Sequence, residues 1–496
     1  TTVVQIAATT RVTLATHATH ATLATHATHV TPATLAKAET PIAKLWSPRL
    51  FATGGFIAYM GCVPIAQDSE MNRLLPVIAI LLAIVAGYVA IERWGPKTHK
   101  KKQRVILPAE AADLHAVPLA DLEEKTPFLD SEWLDNHFTA PVDPQGDPPE
   151  GWPEITSSLQ PESCGLCHPS QYADWKESWH ALGMGDGVLG QMVDWDGKND
   201  KKVRQCNRCH APLSEQYPVV EDGVDNPAYD PELRDKGLTC AGCHVRAHER
   251  FGPEGKQAPI ENPPHGGYTA RDEFKDSRFC YGCHDFSKGD GLEGKRFQET
   301  YEEWRRTPYA AEGVTCQSCH MPEGRHLFKG VHDPEMVKSG FTAKAEIQEE
   351  NGNLKGSLSV ENTGTGHRLP TYTTPQITLI LEQLDAQGVP LKKTKRTDAI
   401  ARYVSPNLKV ERFDTRLMPG ESHSLNYEIV RHEQAQSVHA RVEIWPDEAY
   451  RRLYEIKLRK PENHPIGLEA VQRAHKASID SRYVAWEETI QLGAGD

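Results

Sequence analysis

The sequence predicts two folded parts behind an apolar N-terminal helix. The first is mostly α-helical and irregular, with little side-chain core of its own; the second is β-sandwich-like. Three observations predict this. Ten of the 11 cysteines fall between residues 164 and 319 in five copies of one five-residue unit, C-x-x-C-H. Alternating apolar segments begin only after residue 340, where cysteines cease. Leu74 to Ile91 is an uncharged apolar run long enough for a short membrane span.

Residues 1–70 read as a low-complexity leader. "ATHATHATLATHATH" (15–29) repeats small residues and histidine, a composition that can bind metal. The expectation is nevertheless that Met71 begins the native protein. Residues 71–94 then form a signal sequence or transmembrane anchor, with Arg73 as the positive flank; an uncleaved anchor is favoured. Residues 95–160, rich in Pro, Asp, Glu and Lys, read as an extended linker lifting the two folded parts off the membrane.

The five units are Cys164–Cys167–His168, Cys206–Cys209–His210, Cys240–Cys243–His244, Cys280–Cys283–His284 and Cys316–Cys319–His320. C-x-x-C-H is the attachment signature of c-type haem. Two thiols three residues apart on one helical turn reach the two vinyl groups of a porphyrin, and the next histidine is carried under the ring to ligate iron. Zinc ribbons and disulfide redox motifs also use C-x-x-C, but neither requires histidine after the second cysteine in every copy. Five covalently bound haem c groups, each with an iron, are therefore expected in a domain spanning residues 161–340. With so little chain per haem, the polypeptide must wrap around the porphyrins with short helices, long loops and little sheet. "ENPPHGG" (261–267) agrees with that. The attachment chemistry also sets the side of the membrane. "KTHKKKQR" (97–104) would favour a cytoplasmic location, but haem c is attached outside the cytoplasmic membrane, and five motifs outweigh one basic cluster. The expected location is the periplasmic or extracytoplasmic face, anchored in the cytoplasmic membrane.

Composition bounds the rest. Net charge is −13 and the isoelectric point near 6.0, so no nucleic-acid footprint is present. Of 23 histidines, 14 remain once the leader and motif histidines are set aside. Methionines near the motifs are few, so bis-histidine ligation is expected at most irons, with lower potentials than His/Met ligation gives. The candidates for the second position are His180, His326, His332, His248 and His265. His248 follows His244 by four residues, which puts both on one face of a helix serving two neighbouring haems. His265 sits in the Pro/Gly loop.

"ESCGLCHPSQYADWKESWHALG", "GVTCQSCHMPEGRHLFKGVHD" and "VENTGTGHRLPTYTTP" together resemble the cytochrome c554-like multihaem family over roughly residues 160–430. The resemblance implies paired, closely spaced porphyrins. It also implies that His180, His326, His332 and His367 are axial ligands, without saying which serves which iron. His367 enters on the resemblance alone; Arg368 beside it is a candidate partner for a haem propionate.

Residues 341–496 read as a β-rich domain. "FTAKAEIQ", "LKGSLSVEN", "ITLILEQLD", "SLNYEIV" and "HARVEIW" alternate, turns fall at 385–390 and 418–422, and helical segments follow Pro446. Three functions fit the whole. The first is an electron carrier linking a redox protein donor, such as a membrane quinol oxidoreductase or another cytochrome, to a periplasmic or extracellular acceptor. The second is a redox enzyme with one open five-coordinate haem acting on a small nitrogen or sulfur compound; every motif ends in His and none in Lys, which speaks against it. The third is a haem-bearing subunit of a larger assembly.

Overall fold

A computed structural model describes residues 128–192, 201–220, 223–255, 261–287, 289, 291–292, 294–461 and 467–493. The leader, the apolar run 74–91 and the first part of the expected linker lie outside these. Among the described residues no helix is long and apolar enough to cross a membrane.

Residues 128–160 are not an extended linker. Helix α1 (Glu132–His137) is capped by the Ser131 hydroxyl, which accepts from the Leu134 amide. Leu134 and Val142 are fully buried, and Val142 pairs as a parallel bridge with Leu213. The Pro- and acid-rich composition hid these few apolar anchors, which fasten the strip to the motif region.

The motif region is built from short helices: α2 (Pro161–Gly165), α3 (Pro169–Lys176), α4 (Asp186–Met192), α5 (Lys201–His210) and α6 (Cys240–His244). A small hairpin comes after α6, β1 (Val245–Arg246) with β2 (Glu249–Gly252). Then come α7 (Arg278–His284), α8 (Thr300–Trp304) and α9 (Cys316–His320). Prolines at the first turns of α2 and α3 start helices without losing a needed N–H. Helices this short are not stable by themselves; contacts beyond their own turns must hold them.

From Phe341 the chain is sheet. Strands β3 (Phe341–Glu350), β4 (Asn353–Asn362) and, later, β7 (Ser422–Val430) form one antiparallel layer in the order β7–β4–β3. Strands β5 (Gln376–Leu384), β6 (Arg396–Ile400), β8 (Ser437–Trp445) and β9 (Tyr483–Gln491) form the other, ordered β9–β8–β5–β6. β3 and β4 join through Asn351 and Gly352, both at positive φ (52° and 72°), as a two-residue hairpin with right-handed twist requires. Leu354, Leu358 and Val360 of one layer meet Ile377, Leu379, Leu381, Val438 and Val442 of the other in a single buried cluster, the interior of a sandwich.

Helices α10 (Glu448–Leu458) and α11 (Leu468–Asp480) turn back onto α4. A Cβ on Gly190 would lie 3.1 Å from the Ala474 side chain and 3.3 Å from Tyr454, so glycine permits this close approach. The Tyr454 hydroxyl donates to the Gly187 carbonyl at 2.6 Å. After Pro446, where only helical segments are expected, the closing strand β9 pairs with β8 along its length.

Candidate haem-binding site

Each C-x-x-C-H unit lies on a helical turn, so the spacing acts as the attachment chemistry needs. In the first copy α2 ends at Gly165, yet the His168 amide still donates to the Cys164 carbonyl at 2.9 Å, which continues the helical pattern. In the fifth, Thr315 and Ser318 cap the first turn of α9. The motifs also touch one another. The Cys164 thiol lies beside that of Cys240, Cys209 beside Cys283, and Cys280 beside Cys316. The first motif therefore neighbours the third, while the fourth neighbours both the second and the fifth.

All five motif histidines line one cavity of about 2650 Å³. Ordinary small-molecule sites occupy roughly 300–1,000 Å³, so this one has room for several large groups. Phe274, Phe279, Tyr281, Phe328 and Trp179 are among its walls, which suits flat apolar rings.

The same cavity receives five further histidines, His180, His265, His326, His332 and His367. Four of them face a motif histidine. The ring centroids of His168 and His265 are 6.5 Å apart, those of His284 and His180 6.3 Å, those of His244 and His326 6.1 Å, and those of His320 and His367 6.4 Å. Two imidazoles bound to one metal from opposite sides, each at about 2 Å with about 1 Å from nitrogen to ring centre, put their centroids about 6 Å apart. The donor set and its spacing fit a haem iron between each pair.

Hydrogen bonds fix which nitrogen is free. Nδ1 donates to a backbone carbonyl in His244 (Phe251, 2.7 Å), His320 (Lys329, 2.6 Å), His265 (Gly267, 2.8 Å), His326 (Gly324, 3.1 Å) and His367 (Arg368, 2.8 Å). Nε2 is then left without a proton and can bind metal, the arrangement that orients ligating histidines generally. Burial works in the same direction. It lowers His180 to about 3, and His244, His284 and His320 to about 4, with neighbouring imidazoles adding to the effect. At neutral pH these rings are uncharged, the form that ligates metal.

The second motif differs. His210 donates from Nδ1 to the Gly183 carbonyl at 2.8 Å, but among the described ring pairs no histidine faces it at the spacing of the other four. His332 is the cavity histidine left over. Its Nε2 is hydrogen-bonded to Asp447 at 2.9 Å, and its ring stacks on Trp179 at 3.7 Å.

His248 corrects the helical reading. α6 ends at His244, Val245 goes extended, and Ala247 and His248 form a hairpin turn with φ of 47° and 61°. The shared face with His244 does not exist. His248 is buried away from the cavity, with Nε2 bonded to the Gly146 carbonyl at 2.9 Å. The Arg368 guanidinium reaches Glu299 and Glu303 at 3.4 and 3.3 Å. Met184 and Met192 are buried among apolar side chains.

His137 also belongs to this neighbourhood, although no motif marks it. It is buried beside the third motif, with Nε2 bonded to the Cys243 carbonyl at 2.8 Å and its ring stacked on Trp133. Burial first, then Arg246, lowers it to about 3. Nothing in its local sequence distinguishes it; the signal is its contact across 106 residues.

Comparison with known proteins agrees with this geometry. The sequence model of the family described as "Cytochrome c554 and c-prime" matches residues 163–245. Cytochrome c-552 from Haemophilus influenzae strain 86-028NP is 28% identical over 198 residues, 39% of this chain and 33% of that protein. Its counterpart from strain KW20 / Rd is 27% identical over the same shares. The match thus spans about a third of these curated relatives. A penta-heme cytochrome c552 from Thermochromatium tepidum superposes with a TM-score of 0.51 at 20% identity, covering 68% of this chain and 100% of that one; at that identity the likeness concerns the fold. Five attachment motifs around one cavity, imidazoles paired at metal-ligating distance and these likenesses together support a multihaem c-type cytochrome.

Proposed function

We propose that the chain holds five haem c groups and relays electrons, outside the cytoplasmic membrane, between a redox protein donor and a periplasmic or extracellular acceptor. The observation that carries this reading is the set of four histidine pairs at 6.1–6.5 Å. When bound, haem supplies a reversible one-electron iron couple at each motif, at the lower potentials of bis-histidine ligation. The chain would hold each group by two thioethers, keeps His180, His244, His284 and His320 uncharged at neutral pH by burial, and ties Nδ1 of His244, His265, His320, His326 and His367 to the backbone. The thiol contacts support a branched order in which the fourth motif adjoins the second and fifth. The first motif is the favoured end for exchange with a partner such as a quinol oxidoreductase or another cytochrome: Leu166, outside the cavity wall, is 71% exposed.

His210 favours a second reading, in which the second iron is open to a small nitrogen or sulfur compound. One experiment separates the two. Haem is counted per chain, and electron paramagnetic resonance and optical spectra are taken with carbon monoxide added to the reduced protein. Five haems, all low-spin and indifferent to carbon monoxide, identify a carrier and show His332 or another group completing the second site. Carbon monoxide binding at one haem in five identifies an open iron. Fewer than five haems overturns the count.

A further inference from the structure

Two of the histidines that face a motif ring sit beside an arginine, in opposite order: Arg325–His326 and His367–Arg368. Each dipeptide is gripped by one carboxylate from elsewhere in the motif region. Asp174, on α3, accepts the His326 backbone N–H at 3.1 Å and pairs with the Arg325 guanidinium, its Nε at 2.5 Å. Glu303, on α8, accepts the Arg368 backbone N–H at 3.0 Å and pairs with the Arg368 guanidinium at 3.3 Å. Glu303 also accepts from the Thr371 hydroxyl at 2.6 Å and pairs with Arg416 at 3.3 Å. Both carboxylates are buried, 7% and 3% exposed.

These are not incidental surface pairs. A buried carboxylate is costly unless its charge and lone pairs are satisfied, and here the satisfying groups are the backbone and side chain of the ligand-bearing dipeptide. His326 comes just after the short turn 322–324, and His367 lies on the connection between β4 and β5, where its carbonyl accepts from Asn362 (3.0 Å) and Thr365 (2.6 Å).

We propose that Asp174 and Glu303 are positioning residues that hold His326 and His367 in place as the sixth ligands opposite His244 and His320. This rests on reading those rings as ligand pairs. Asp174 holds the main chain at the ligand residue itself and Glu303 at the residue after it, so that a ring on a loop keeps the placement a ligand needs.

The test uses the haem-loaded full chain, with His326→Ala and His367→Ala as references. Each reference variant is expected to add carbon monoxide binding at about one iron per chain. Asp174→Ala and Glu303→Ala are expected to reproduce the signal of His326→Ala and His367→Ala respectively, to at least about half its size, and added imidazole should restore the low-spin spectrum. Asp174→Asn and Glu303→Gln, which keep an acceptor for the backbone N–H, should show a smaller effect in the same order. Parent-like spectra in the haem-loaded Ala variants overturn the proposal. If an Ala variant fails to accumulate, its Asn or Gln counterpart decides by the same criterion. Should His326→Ala and His367→Ala themselves leave every iron closed, the ligand reading fails instead.

Discussion

Around the sandwich, eighteen buried side chains from both sheets and their connections form one continuous cluster. In the motif region, the largest cluster among the described residues has five members, and the centre is a cavity of about 2650 Å³. One half of the molecule carries its core in its own side chains, whereas the other leaves that space for a bound group. The expectation is that the motif region depends on its bound groups for a stable fold, while the sandwich has what it needs within its sequence.

Withholding haem should break the symmetry between the halves most strongly. In chain produced without haem attachment, amides of residues 161–330 are expected to exchange hydrogen without protection while β5 and β8 stay protected. Protection throughout would show that the motif region has a core of its own. A smaller effect comes from the opposite half. Leu379→Ala, at a fully buried position in β5, should lower unfolding stability by about 2–5 kcal/mol and leave the haem spectrum unchanged. A changed spectrum would mean that the sandwich core sets the haem environment directly.

His137 offers a test on the motif side. Its folded value is about 3 against 6.5 when exposed, so below pH 6.5 the unfolded chain takes up a proton that the folded chain refuses. Stability should fall as pH drops from about 6.5 towards 3, with about 2 kcal/mol lost between pH 8 and 5 from this group alone. Thermal melts of His137→Phe should show a flatter acid limb; an unchanged limb would remove His137 from the account. The smallest effect is expected at the hairpin between β3 and β4, where Gly352→Ala places a side chain at φ of 72° and should cost about 1 kcal/mol, again without spectral change.

Sequence was most informative where chemistry is local. Thiol spacing and the adjoining histidine are fixed by one helical turn, so Cys316, Cys319 and His320 announce themselves. Strand alternation in "HARVEIW" is local too, and β8 obeys it. Pairing is a different matter: His320 meets His367 and His284 meets His180 across long stretches, and no periodicity connects them. His248 misled because a helix was extended past His244, where Val245 and Arg246 instead pair with Arg250 and Glu249. Residues 128–160 misled because two or three apolar residues among prolines and acids suffice to bind a strip to a surface already present. Asp174 and Glu303 look like ordinary surface acids until their partners come together.

The position of His367 also bears on the order in which the molecule can be made. A polypeptide is synthesised from its N-terminus, and residue 367 lies 47 positions beyond the last attachment motif, on the connection between two strands of the sandwich. On the proposed pairing, the ring that faces His320 does not exist when Cys316 and Cys319 emerge, and it has no fixed place until β4 and β5 have found their sheets. For His244, too, the facing ring comes later in the chain, whereas for His284 it has come before. The His320–His367 pair can therefore form only after the chain has been made through residue 367 and that connection has folded.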